Sequence, residues 1–402
     1  MRKRRIATAG ALALALVVAS CGDDDDDDAA PDTESPAGTG AAATTEAPAG
    51  TEAPSGECET TDSIRLQLQW VTQAQFAGYF AAADQGYYAA RCLEVELIET
   101  APDVTPQQQL ADGAVDFAIA WTPKALATRE AGADIVNIAQ MLQRSGTLQV
   151  SFVDAGITSP ADFAGRNIGN WGFGNEYEVF AALAKEGLDP TSDVNLVSQD
   201  FNMLGLLSGD IDAAEAMTYN EYAQVLEAVN PETGELYQPE DLNVISYEEV
   251  GVGMLQDAIW ADGAKLASDE AYQDIAVRFL AASFEGWAYC RDNPEECRDI
   301  VVAAGSQLGN SHQLWQMNEI NKLMWPADSG IGYIDQAAWD RTVEIAQGTP
   351  NLEGATVLTE APDEGAFTNE FVEAAHALLG DDVDLVGADF TPIEVTLEEG
   401  GE

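Results

Sequence analysis

Eight tryptophans stand out in a chain of 402 residues. Five of them, Trp70, Trp121, Trp171, Trp260 and Trp325, fall where predicted strands or helices give way to loops. Trp70, Trp121 and Trp171 each close an apolar strand, where side chains face out of a sheet's carboxyl edge. Ligands of open α/β sheets bind at that edge. Flat rings there suit stacking on a planar heterocycle, which contributes about 1–3 kcal/mol per ring. Any single aromatic fits a core equally well; three at strand ends form a group. Trp325 joins them less directly, as do Phe76 and the amide of Gln73 in the loop after Trp70.

Polar groups suited to a ring edge lie at similar positions. GFGNE, Gly172 to Glu176, is a strand-to-helix turn whose free N–H groups favour an acceptor. Asn175 there equally suits a helix cap, and Glu176 a first-turn acid. The spacing is not a dinucleotide fingerprint. In AMTYNEY, Tyr219, Asn220 and Glu221 offer donors and acceptors; Asn220 also fits a cap, and Glu221 a wet face. Asp257 lies on a later strand. Arg144 is one of few cations and suits a hinge salt bridge. No nucleophile–base or zinc motif is present in the sequence, and paired carboxylates carry no information among 70 acids. No catalytic role, cofactor or metal is assigned; His312 and His376 are not at ligand spacing from a cysteine pair.

The elements that position these residues alternate as strand and helix, the pattern of an α/β protein. IRLQLQW, LEVELI and the run to Trp121 supply strands of a first lobe, with the helical stretch FAGYFAAADQGYY between the first two. A new unit begins at SPADFAGRNIGNW. Lobe 1 is expected over 61–153 and 248–348, and lobe 2 over 154–247. Residues 349–402 form an extension expected to wrap the domain in part, with a disordered acidic end.

The first 20 residues read as a secretory signal: MRKRR, then ALALALVVA. Val18-Ala19-Ser20 before Cys21 resembles the lipobox of bacterial lipoproteins, which implies acylation of Cys21 and an anchor on the outer face of the cytoplasmic membrane. Residues 21–60, poor in large apolar groups, are expected to be a disordered acidic tether. The net charge is −53, and cleavage would remove four basic residues and no acidic ones. Such a chain repels nucleic acid. Four cysteines remain, and outside the membrane they suit disulfides, Cys58 with Cys92 and Cys290 with Cys297.

Gln69-Trp70, Gln75-Phe76-Ala77-Gly78-Tyr79, Gly86-Tyr87-Tyr88, Leu93-Glu94-Val95 and Gly113 to Phe117, in that order and spacing, resemble the solute-binding proteins of ABC importers. The branch is the one that holds sulfonate-binding and thiamine-pyrimidine-type proteins. QRSGTLQV, WGFGNEYEV, AMTYNEYAQVLE and MLQDAIWA are similar to its riboflavin-binding lipoproteins. The resemblance implies a type II periplasmic-binding-protein-like clamshell with two interlobe crossings, working as a monomer with a membrane permease. Its solute would be riboflavin first, a thiamine-type aminopyrimidine second. The alternatives are a hydroxymethylpyrimidine phosphate synthase-like enzyme and a ligand-sensing lipoprotein. The synthase carries a cysteine-rich iron motif, and here only Cys92 stands near its place.

Overall fold

The computed structural model describes residues 58–101, 104–172 and 174–400. The signal-like segment, Cys21 and nearly all of the tether lie outside the described residues. Among the described residues, ten strands form one five-stranded sheet in lobe 1 and, in lobe 2, a three-stranded and a two-stranded sheet joined by a bridge, and the two lobes share one plan. In lobe 1, β1 (Asp62–Gln67), β2 (Leu93–Ile98) and β3 (Phe117–Trp121) run parallel. The full order is β2-β1-β3-β10-β4, with β10 (Asp257–Asp262) antiparallel between β3 and β4 (Ile135–Gln140).

Lobe 2 repeats the plan with β6 (Asn167–Asn170), β7 (Asn195–Ser198) and β8 (Ala214–Met217) as its parallel set. A parallel bridge from Ile168 to Ala213 joins β6 to the start of β8. Antiparallel β5 (Thr147–Phe152) then lies between β8 and β9 (Leu242–Ser246). Each lobe therefore borrows its antiparallel strand from the far side of a crossing. The boundary expected at 153/154 falls too late for this reason: β5 pairs with β8 and β9, and the chain crosses between Gln140 and Thr147.

The lobe 1 core lies between its sheet and the helices Ala77–Asp84 and Glu270–Asp292. Asp269 starts the long helix by accepting the N–H groups of Ala271 and Tyr272. Its buried face stacks Phe279 and Tyr272 on Phe117 of β3. The two helices cross on glycines: a Cβ at Gly286 would sit 2.1 Å from the carbonyl oxygen of Gly78. Any larger residue there forces the helices apart. Cys58–Cys92 and Cys290–Cys297 are disulfide-bonded.

The C-terminal extension packs mainly on lobe 1 and ends against lobe 2. Phe367 bridges Asn137 at the β4 edge, which blunts an exposed strand. The helix Glu370–Leu379 buries Val372, Ala375 and Leu379, one face at helical spacing. The acidic end, expected to be disordered, is held by backbone bonds: Ile393 N–H to Asn318, Glu398 N–H to Ser311, and Gly400 N–H to the Glu227 carbonyl. Its side chains stay wet while its backbone finds partners, which composition does not reveal. Among the described residues no helix is long and apolar enough to cross a membrane.

Candidate functional site

A cleft of about 670 Å³ opens where the two sheets face each other. Its lining comes mainly from the loops that leave the carboxyl ends of the six parallel strands. Trp70 and Gln73 follow β1, Thr100 and Val104 follow β2, and Trp121 and Lys124 follow β3. Across the gap, Trp171, Asn175 and Glu176 follow β6, Phe201 follows β7, and Tyr219, Asn220 and Glu221 follow β8. Val357 of the extension closes one side.

The aromatic groups meet across the lobes. The rings of Trp171 and Phe201 stack at 5.9 Å and 22°, and Trp70 of the other lobe tilts onto Phe201 at 5.0 Å. Trp121 stands deeper, its backbone N–H held by Gln69 Oε1 at 2.8 Å. Among the described residues, the buried indole N–H groups of Trp121 and Trp171 meet no hydrogen-bond acceptor. Such donors are costly unless something supplies an acceptor.

Among the described residues of the lining, Lys124 is the only cation. Its Nζ donates to Asn175 Oδ1 of the opposite lobe at 2.7 Å and lies 4.8 Å over the Trp121 ring. Burial pushes the ammonium down to about 8, against the pull of Glu176, Glu215 and Asp257. Gly174, with φ +86°, lets the turn pass this side chain: a Cβ would meet Lys124 at 3.3 Å. Behind Trp171, Glu215 accepts its backbone N–H at 2.8 Å, and burial raises that carboxyl well above the usual range.

Eight of the eleven sequence candidates line the cleft: Trp70, Gln73, Trp121, Trp171, Asn175, Glu176, Tyr219 and Asn220. Three do not. Phe76 is fully buried beneath it in the lobe 1 core. Asp257 supports the cleft from behind, accepting Gln75 Nε2 at 2.8 Å while Gln75 accepts from Gln73 at 2.7 Å. Burial raises the Asp257 carboxyl to about 6. Trp325 packs in the core under the Arg291 guanidinium, 4.7 Å from its ring. Trp260 is likewise core, its indole bonded to the Ala120 carbonyl.

Other local readings change as well. Asn175 makes no cap bond; its amide reaches back to Gly172 O while its oxygen takes Lys124. Glu221 is buried and accepts Met217 N–H, so it does not face water. Among the described residues Arg144 forms no salt bridge. It donates to the carbonyls of Lys322, Leu323, Trp325 and Pro326, closing the end of the helix Asn310–Met324. The residues missed by sequence reasoning are Lys124, Phe201 and Glu215.

Residues 73–297 match the family model described as NMT1/THI5 like. The chain belongs to the NMT1/THI5-like family. Within reach of it lies a riboflavin-binding protein of Chloroflexus aurantiacus, 27% identical over 92% of this chain and 99% of its own length. A formylaminopyrimidine-binding protein of Halalkalibacterium halodurans is 23% identical over 75% of this chain and 90% of its own. The periplasmic aliphatic sulphonate binding protein of Escherichia coli superposes with a TM-score of 0.53 at 15% identity, covering 71% of this chain and 90% of that one. That likeness establishes the periplasmic-binding-protein fold for this NMT1/THI5-like chain.

Proposed function

We propose that this protein is the extracytoplasmic solute-binding component of an ABC importer and that its solute is a flat heteroaromatic vitamin or precursor, riboflavin before an aminopyrimidine. The observation that carries the reading is the convergence of Trp70, Trp121, Trp171 and Phe201 on one interlobe cleft. Such walls stack a planar ring, and the adjacent amides, tyrosine, carboxylates and single lysine match mixed donors and acceptors at its edge. The named relatives support this solute class. A cleft of about 670 Å³ with rings on several sides is better filled by a tricycle with a polar chain than by one pyrimidine. Among the described residues of the lining, a sulfonate would find only Lys124 as a cation.

Binding is a hinge closure about the two crossings, with the solute held between lobes until a membrane permease takes it. In this reading the chain works as a monomer, is exported, and is tethered through lipid on Cys21. It performs no chemistry on the solute. Cys92, the cysteine nearest the place of the synthase's iron motif, is bonded to Cys58 and offers no thiol.

Calorimetric titration of the purified chain with riboflavin, hydroxymethyl-aminopyrimidine and an alkanesulfonate tests the proposal. Tight riboflavin binding is the expected result. Binding of the pyrimidine alone moves the solute to the thiamine branch. Binding of the sulfonate alone, or pyridoxal phosphate bound in the purified protein, overturns it.

A further inference from the structure

The helix Asn310–Met324 reaches the back of the cleft in both lobes. Toward lobe 1, Gln313 and Gln316 accept the backbone N–H groups of Ala74 and Gln75 at 2.6 and 3.1 Å. Toward lobe 2, the Trp315 indole donates to the Thr218 carbonyl at 2.9 Å. His312, wholly buried, stands 3.0 Å from Asn220 through Nε2. Within two turns this helix therefore grips both lips of the cleft.

The imidazole of His312 lies inside a chain of groups whose directions can be worked out. Its Nδ1 is 3.0 and 3.1 Å from the two carboxylate oxygens of Glu227, itself 2% exposed. Asn220 Nδ2 donates to Glu221 Oε1 at 2.8 Å, and the other Glu221 oxygen accepts Met217 N–H at 3.0 Å. With the amide nitrogen turned to a carboxylate, the amide oxygen must face His312. An amide oxygen only accepts, so Nε2 carries a proton; an ionised carboxylate only accepts, so Nδ1 carries one as well. A protonated imidazole 3.0 Å from that carboxylate makes a buried ion pair.

We infer that His312 is a positioning residue of the binding site: an imidazolium that bridges Glu227 to Asn220 and locks the Asn220 amide in one orientation toward the ligand. The inference rests on reading the cleft as the solute site. The locked amide leaves one N–H and one oxygen lone pair in fixed places. A solute then meets a set donor–acceptor edge beside Tyr219, and a ring whose edge has the opposite order is refused.

The chain has only two histidines, so imidazole nitrogen spectra are simple to assign when no histidine tag is used. In the unliganded protein at neutral pH, both nitrogens of His312 should resonate together as protonated, N–H-bearing nitrogens. One protonated and one bare nitrogen would overturn the inference, since the proton would then sit on Glu221 or Glu227. With riboflavin as the probe, His312→Gln should weaken binding about tenfold. Glu227→Gln should give a similar loss, and the double variant little more than either alone, because one chain of bonds is broken. Wild-type affinity in a folded His312→Gln protein would also overturn it. If the unmodified protein binds no riboflavin, the proposed solute falls, while the nitrogen spectrum still decides the state of His312.

Discussion

Lobe 1 brings Trp70, Trp121, Gln73 and the cation Lys124 to the cleft, whereas lobe 2 brings Trp171, Phe201, Tyr219 and the carboxylates of Glu176 and Glu221. Both lobes build their wall from loops after three parallel strands, in the same strand order once the Ile168–Ala213 bridge is counted. The scaffold is thus held in common, and the loops divide the chemistry. Lys124 to Asn175 and Trp70 to Phe201 are contacts that cross the gap between the walls. These contacts set Lys124 against the acidic wall and one aromatic set against the other.

If lobe 2 is the stacking platform, Trp171→Ala should have the largest effect, about tenfold to a hundredfold weaker binding of the flat solute by calorimetry. Trp70→Ala should cost less, because Trp70 is only half-buried while Trp171 is 4% exposed. Equal losses would erase that difference between the walls.

The cation of lobe 1 gives the next effect. Lys124→Met should weaken binding about tenfold. Its ammonium form predominates below about 8, so wild-type affinity should be level at neutral pH and fall as pH rises through that value. The methionine variant should lack this step in a titration series at several pH values.

Asp257 separates support from contact. Burial raises its carboxyl from 3.8 to about 6, so the folded state holds the proton more tightly than the unfolded chain. Its contribution favours folding below the unfolded value and is lost as pH rises through about 6. Asp257→Asn removes the buried charge and keeps an acceptor for Gln75. Thermal unfolding at pH 7 should show a gain on the order of 1 kcal/mol. Phe201→Ala, at an exposed rim, should be the mildest, with about threefold faster solute release in stopped flow.

The parts legible in the sequence are those set by local pattern. Trp121 and Trp171 read as strand ends because alternation or an apolar run stops there, and ligands bind at the carboxyl edge of such sheets. Phe76 and Trp325 look the same in sequence, but helix direction and packing turn them into the core. Lys124 sits in TPKALATRE, which reads as an ordinary amphipathic helix. Its role exists only because a glycine turn of the other lobe comes within 3 Å. Phe201 and Glu215 likewise owe their places to pairing across long sequence distances, as does β5, whose partners lie after it in lobe 2. The shared topology of the lobes was hidden because it is a repeat of hydrogen-bonding order without a repeat of residues.

The central claim is tested most directly by flavin and tryptophan emission as riboflavin is added to the wild-type protein and to Trp171→Ala. Stacking predicts saturable mutual quenching in the wild type that is weakened at least tenfold in the variant. Saturable binding that is unchanged by loss of Trp171, or no quenching at all, would contradict the account.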